Sequence, residues 1–177
     1  KMFANNKLPH LFFLNHQTTK STFQGKIKEN KDSIFQEDPV DIETFLYHPD
    51  YLGLNITLSK PQIEFVDNMS RLFETPMFTE GVLQSGQGSG KDTCSIFVGL
   101  RIVYLLHCLR SPQSYFNMDR NSFIDAINVA PNADLAKNIY FQTLTNTLKS
   151  SPLFANDSGI SISYTATVCD VKDNQDG

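Results

Sequence analysis

Cysteine is scarce in this sequence, and the few cysteines present are scattered. Cys94, Cys108 and Cys169 form no CxxC pair and no cluster with histidine. Structural zinc sites need four closely spaced thiolate or imidazole ligands, so a zinc site is not expected. Unpaired, scattered thiols are typical of a protein that resides in a reducing compartment.

Long hydrophobic runs are also missing. The apolar run Leu11–Leu14 is too short for the core of a secretory signal. The stretch Ile96–Leu109 is interrupted by Arg101 and His107 and is too short to cross a bilayer. The sequence therefore predicts a buried helix in this stretch and no membrane partner.

An excess of positive charge is absent from most of the chain, which has a formal net charge of -4. Residues 1–32 contain six lysines against Glu29 and Asp32, a balance of +4 that leaves -8 for the rest. The main body therefore has no basic field to attract nucleic acid, and contact with DNA would need a local patch. We expect residues 1–33 to be a polar arm or linker. Residues 34–177 are expected to be the N-terminal part of a domain that is incomplete at its C-terminal end.

A glycine-rich loop is the most informative feature of the sequence. The segment Val82–Thr93 is an apolar run, three alternating glycines and a Gly-Lys pair, and an apolar helical pattern follows at once. This is the strand–loop–helix context of a phosphate-binding P-loop. The glycines let successive N–H groups point at phosphate oxygens, and the helix adds the positive end of its dipole. Lys91 supplies a charge for the terminal phosphates and is the predicted catalytic residue.

The loop departs from the pattern G-x-x-x-x-G-K-[ST] at both ends. Ser85 stands at the first glycine position, and Asp92 stands at the hydroxyl position, one residue before Thr93. A carboxylate beside a triphosphate is repelled unless a cation lies between them, so Asp92 or Thr93 is predicted to bind Mg²⁺. The predicted ligands are ATP and Mg²⁺, and the predicted nucleotide-binding residues are Gln62, Ser85, Gly86, Gln87, Gly88, Ser89, Gly90, Lys91, Asp92 and Thr93.

Gln62 allows two interpretations. A glutamine upstream of the P-loop reads the adenine edge in many helicase-like motors, since its amide can both donate and accept. Gln62 also follows Ser59 at the spacing of a helix capping box, a role that needs no ligand. Tyr51 has a similar pair of interpretations, as a ring stacked on adenine or as part of the core.

The order of elements predicts an α/β fold. A first helix is expected to be capped by Asp38 and to end before His48, and a second to begin after Ser59 and end at Pro76. Strands that alternate with helices are typical of a doubly wound, mostly parallel sheet. The predicted helices cover residues 39–47, 60–75, 91–109 and 133–148, the last capped by Asn132, and the predicted strands cover Phe78–Gln84, Ser122–Ala130 and Ile160–Val168.

Several segments together resemble the large terminase subunit of tailed bacteriophages. The similar segments are Gly86–Asp92, Pro112–Phe116, Asp125–Ala133 and Lys149–Phe154, within a resemblance that covers about residues 40–165. The resemblance implies a RecA-like, additional-strand P-loop NTPase fold. It also implies ATP hydrolysis coupled to translocation of double-stranded DNA into a procapsid, and a C-terminal nuclease domain that is absent from this chain.

The resemblance further implies partners and a location. The partners are double-stranded DNA, the portal of the procapsid and a small terminase subunit. A homo-oligomeric ring is expected during packaging, in the cytoplasm of the infected bacterial host. Asn128 and Asn132 lie where related motors place a segment that touches nucleic acid or the sheet tip, although Asn132 also suits a helix cap.

Two parts of that family's machinery are not recognisable in the sequence. Its Walker B strand ends in Asp-Glu, and the nearest segment here, Ala166–Asp170, has few apolar residues and no following Glu. Gln87 stands where related loops carry a cation, and Arg101 and Arg120 are the cations nearby in sequence. This segment is therefore predicted to bind nucleotide without efficient hydrolysis. The alternatives are a helicase-like P-loop translocase and a nucleotide-binding module that does not hydrolyse ATP.

Overall fold

The long helix that follows the glycine-rich loop organises the described part of the molecule. The computed structural model describes residues 10–13, 34–71, 81–129, 136–156, 160–164 and 169–173. The helices are α1 (Ile42–Tyr47), α2 (Lys60–Met69), α3 (Lys91–Cys108), α4 (Pro112–Tyr115), α5 (Gln142–Ser150) and α6 (Pro152–Asn156), and a π-helical segment (Ala136–Phe141) leads into α5. The strands are β1 (His10–Phe13), β2 (Gly81–Gln84), β3 (Ile160–Tyr164) and β4 (Cys169–Asp173).

Helix α3 is apolar on most faces, and the surrounding helices bury it. Leu100, Tyr104 and Cys108 have no exposed surface, and α3 packs against α2, α5 and the π-helical segment. Burial of a large apolar side chain stabilises a fold by roughly 1.5–3 kcal/mol, so this helix is a firm support for the loop at its N-terminus. None of the helices in the described ranges is long and apolar enough to cross a membrane. Other core residues are Phe45, Leu46, Leu52, Leu58, Phe65, Val66, Leu148 and Phe154.

Helix α1 ends before His48, as the sequence predicts, but α2 ends at Met69 rather than at Pro76, and the cap of α1 is also different. Helix α1 begins at Ile42 and is capped by Asp41 rather than by Asp38. The Asp41 carboxylate accepts hydrogen bonds from the N–H groups of Glu43 and Thr44, both at 3.0 Å, and from the Thr44 hydroxyl. These bonds, the Thr44 hydroxyl first, lower the pKa of Asp41 below its usual value. The Val40 N–H, two residues after Asp38, donates instead to the Tyr104 hydroxyl at 3.0 Å, and the predicted cap at Asp38 is wrong.

The strands that the structure describes pair differently from the prediction. β1 pairs antiparallel with β2, with His10 opposite Gln84, and β3 pairs antiparallel with β4. Within the described residues no parallel pair occurs, so the predicted doubly wound parallel sheet is not what these strands form. β1 also lies inside residues 1–33, so this part of the predicted arm is a strand. Strands are predicted at Phe78–Gln84 and Ile160–Val168, and their described parts, Gly81–Gln84 and Ile160–Tyr164, are strands.

One predicted strand is wrong. The described part of the segment 122–130 extends to residue 129 and forms neither a strand nor a helix. Phe123, Ile127 and Val129 are more than four-fifths exposed. A strand is stabilised by the ladder it shares with a neighbour, and the described residues offer this segment none. The stretches 72–80 and 130–135, which include Pro76 and Asn132, lie outside the described residues.

Candidate phosphate-binding site

The glycine-rich loop connects the end of β2 to the start of α3. Gly88 and Gly90 have φ angles of +76° and +77°, a conformation that L side chains rarely adopt. A Cβ atom at Gly86 or Gly88 would meet no atom within 4 Å, so the tip of the loop borders open space. The two left-handed glycines turn the chain sharply, and the tip is free to receive a ligand.

The N-terminus of α3 contributes the second part of the site. Gly90 is the N-cap, and its carbonyl accepts from the N–H of Cys94 at 2.9 Å. The N–H groups of Lys91, Asp92 and Thr93 in the first turn have no carbonyl four residues earlier within the helix. An 18-residue helix concentrates about half a positive charge at this end. Free N–H groups and positive potential together favour an anion.

Three hydrogen bonds hold the base of the loop around Ser89. The Ser89 hydroxyl donates to the Ser85 hydroxyl at 2.7 Å, across the two ends of the loop. The Ser89 N–H donates to the Gly86 carbonyl at 3.3 Å. The Ser89 carbonyl accepts from Nε2 of Gln62 at 2.9 Å, which ties the loop to α2. The base of the loop is therefore fixed, whereas Gln87 and Gly88 at its tip are exposed.

Gln62 occupies the gap between α2 and the loop. Its Oε1 accepts from the Ser59 N–H at 2.7 Å and lies 3.0 Å from the Ser59 hydroxyl. The predicted capping box is therefore present. The contact with Ser89 was not predicted, because the two residues lie 27 positions apart and no local pattern links them.

Lys91 and its neighbours differ in exposure. Lys91 and Asp92 are exposed, and Thr93 is half-buried. The salt bridges among the described residues do not include Lys91. Within the described ranges no group of three acidic, histidine or cysteine residues could hold a metal by itself. Proteins commonly hold Mg²⁺ with only one or two oxygen ligands, while substrate phosphates supply others. The Asp92 carboxylate and the Thr93 hydroxyl are suitable oxygen donors.

A pocket of about 180 Å³ lies beside the loop. It is smaller than the roughly 300–1,000 Å³ of sites that enclose a whole drug-sized ligand, so it would hold only part of a nucleotide. Sequence reasoning missed Phe65 and Cys94 in its wall. Cys94 lies one turn into α3 on its buried side, and burial raises the pKa of its thiol. The lining residues are Ser59, Pro61, Gln62, Phe65, Leu83, Ser85, Ser89, Lys91 and Cys94.

Arg101 does not join the site. It lies ten residues beyond Lys91 on the same helix, about 15 Å at 1.5 Å per residue. Its guanidinium is buried, donates to the Val40 carbonyl, and lies 5.0 Å from the Phe45 ring centre and 5.1 Å from that of Tyr104. Burial lowers the pKa of Arg101. Arg101 thus joins α3 to the segment before α1, which supports its interpretation as a structural residue.

The remaining candidates lie on other elements than the loop. Tyr51 packs edge-to-face against Tyr104 at 5.7 Å, as expected of a core residue. Arg120 and Asn128 are exposed on the segment that follows α4. Asp170, in the nearest Walker B candidate, lies on β4 opposite Ser163. Asn132 lies outside the described residues.

Comparison with known protein families identifies a family of P-loop domains that matches this chain. A family model described as "Uncharacterized protein MJ0330, N-terminal P-loop domain" matches residues 8–169. The chain belongs to this family. No curated protein and no solved structure matches the chain significantly. Membership in the MJ0330 N-terminal P-loop family confirms that the chain is a P-loop domain. The family's description names neither a bacteriophage nor a terminase.

Proposed function

We propose that this domain binds a nucleoside triphosphate, ATP, together with Mg²⁺ through the loop Ser85–Gly90 and the first turn of α3. The carrying observation is the geometry of the loop. Its base is fixed by Ser89, its tip borders open space, and it runs directly into the N-terminus of a long buried helix. Membership in a P-loop family supports the same conclusion.

The residues of the loop have distinct roles in the proposed complex. N–H groups from Gly86 to Gly90 bind the phosphate oxygens, and Gln87 adds hydrogen-bond donors without charge. Lys91 places its ammonium group between the terminal phosphates, which lowers their mutual repulsion. Asp92 or Thr93 would hold Mg²⁺, which supplies further neutralisation of the phosphates.

Substitution of Lys91 tests nucleotide binding directly. Lys91→Ala removes the mobile charge and should abolish measurable affinity for Mg-ATP in a calorimetric titration. Lys149→Ala is the matched control, since Lys149 is also exposed but lies in the last turn of α5. Equal affinity in the Lys91→Ala variant, or no binding by the unaltered protein, would show that the loop is not a nucleotide site.

We further propose that the complete gene product is an ATPase that drives double-stranded DNA into a procapsid. The support is the resemblance of Gly86–Asp92 and the three later segments to large terminase subunits. In this role the protein would act as a ring on the portal, with a small terminase subunit and a nuclease domain, in the cytoplasm of an infected bacterium. ATP hydrolysis that double-stranded DNA stimulates, together with DNA cleavage by the complete protein, is the expected result. Strand separation without cleavage would favour a helicase-like translocase instead.

A second candidate is a nucleotide-binding module that does not hydrolyse ATP. It is favoured by the sequence of the nearest Walker B candidate, Ala166–Asp170, which has no following Glu to orient an attacking water. Measurement of phosphate release by the complete protein, with and without DNA, separates the two candidates. Tight Mg-ATP binding with no turnover under either condition would favour the binding module.

A further inference from the structure

Most of the hydrogen-bonding positions of the Gln62 amide are occupied by groups of the protein itself. A glutamine amide can accept two hydrogen bonds at Oε1 and donate two from Nε2. Oε1 is within hydrogen-bond distance of the Ser59 N–H (2.7 Å) and the Ser59 hydroxyl (3.0 Å), and Nε2 donates to the Ser89 carbonyl (2.9 Å). Recognition of an adenine edge would need both ends of this amide, and at Oε1 it would displace one of the bonds from Ser59.

Close packing around Gly90 gives independent support for this placement. A Cβ atom at Gly90 would lie 2.8 Å from Nε2 of Gln62, which is closer than real Cβ contacts allow. The amide therefore lies directly against the residue that caps α3. Ser85, which stands at the first glycine position of the pattern, continues the chain of hydrogen bonds through Ser89.

We propose that Gln62 is a positioning residue that holds the phosphate-binding loop in its ligand-ready form and does not select the base. Ser59, Gln62, Ser89 and Ser85 form one continuous connection from the N-terminus of α2 to the end of β2. A loop fixed in this way loses less conformational freedom when phosphates bind. The proposal rests on the proposed nucleotide-binding function and adds that Gln62 sets affinity for the triphosphate group, equally for every base.

The test compares three ligands that share the phosphates and differ in the base. Mg-ATP, Mg-GTP and Mg-tripolyphosphate are titrated calorimetrically into the unaltered protein and into Gln62→Ala. Loss of one hydrogen bond that fixes the loop should weaken all three ligands by the same factor, about threefold to tenfold. A base-reading Gln62 would instead weaken ATP alone and leave tripolyphosphate unchanged. The proposal would also be overturned if each ligand bound the Gln62→Ala variant as tightly as it binds the unaltered protein.

Gln113→Ala is the matched control. Gln113 also donates from Nε2 to a backbone carbonyl, that of Ser122 at 3.4 Å, but it lies on α4 beyond the far end of α3. Its replacement should leave the affinity for all three ligands unchanged. Hydrogen exchange provides a readout without ligand: amides of residues 86–90 should exchange faster in Gln62→Ala, whereas those in the middle of α3 should not.

A second variant covers the case in which Gln62→Ala fails to fold. Gln62→Met keeps a side chain of similar length with good helix propensity and adds no charge beside the phosphates, but it removes the donor to Ser89. The ratio of ATP to tripolyphosphate affinity should remain that of the unaltered protein while both affinities fall. A selective loss of ATP, or no loss of either ligand, would refute the positioning role. Lack of Mg-ATP binding by the unaltered protein would instead refute the proposed function itself.

Discussion

The three glycines of the loop should respond differently to a single added methyl group. Gly86 has neither a positive φ nor a neighbour within 4 Å of its Cβ position, so Gly86→Ala should leave the free energy of unfolding nearly unchanged. Gly88 has a φ of +76° in open space, and left-handed backbone costs an L residue about 1–2 kcal/mol. Gly90 combines a φ of +77° with the 2.8 Å contact to Gln62. Loss of the Gln62 hydrogen bond adds roughly 1 kcal/mol, so Gly90→Ala should cost about 2–3 kcal/mol.

Urea denaturation of the three variants measures how much each substitution lowers the free energy of unfolding. The comparison is valid when the dependence of that free energy on urea concentration is the same in each variant. A double-mutant cycle then isolates the contact, because in a Gln62→Ala background the methyl group at position 90 meets no amide. There, Gly90→Ala should cost only the backbone strain, about 1–2 kcal/mol. Equal destabilisation at Gly86 and Gly90, or an undiminished cost of Gly90→Ala in the Gln62→Ala background, would refute the reasoning.

Three further predictions concern the helices. Arg101→Ala should lower the free energy of unfolding, measured in thermal melts, by about 2–4 kcal/mol, because it removes a large packed side chain and the donor to the Val40 carbonyl. Arg120→Ala, on the surface, is the control and should change that free energy by less than about 0.5 kcal/mol. Asp41→Ala should cost about 1 kcal/mol at neutral pH. Since the pKa of Asp41 is lowered in the fold, this difference should shrink as pH falls below the ordinary value of 3.8, and a constant difference across an acid titration would contradict the cap. In a Cys169→Ser background, Cys94 and Cys108 should react slowly with a thiol reagent at pH 7. Burial raises the pKa of both thiols, that of Cys108 to about 12, so little reactive thiolate is present. Rapid labelling of the native protein would contradict their burial.

Local patterns explain the parts of the fold that the sequence predicted correctly. The capping-box spacing of Ser59 and Gln62 starts α2, the Gly90-Lys91 pair starts α3, and Ser111-Pro112 follows its end. Each signal acts over a few residues, so a single sequence contains it completely. The loop was predicted for the same reason, and membership in a P-loop family confirms it.

The parts that the sequence did not predict depend on distant partners. The apolar residues of Phe123–Val129 suit a buried strand, but a strand needs a neighbour, and pattern alone does not name one. β1 was missed because His10–Phe13 is a short apolar run in a polar segment, and its pairing with β2 joins residues about 70 positions apart. The contact of Gln62 with Ser89 is equally non-local. The choice between Asp38 and Asp41 as a cap also depends on a distant partner, since the Val40 N–H after Asp38 donates to the Tyr104 hydroxyl.

The exposed segment Phe123–Val129 has a consequence for how the protein behaves at high concentration. Four of its seven residues are aromatic or β-branched, and the segment has no proline and a single charge, as in the short stretches that nucleate intermolecular cross-β assembly. Their apolar side chains are on the surface rather than in a core. Asp125 is the one charged residue among them, and its repulsion between copies makes it a gatekeeper against self-association. We therefore expect the colloidal stability of this domain to depend on a carboxylate that has no role in the proposed phosphate site.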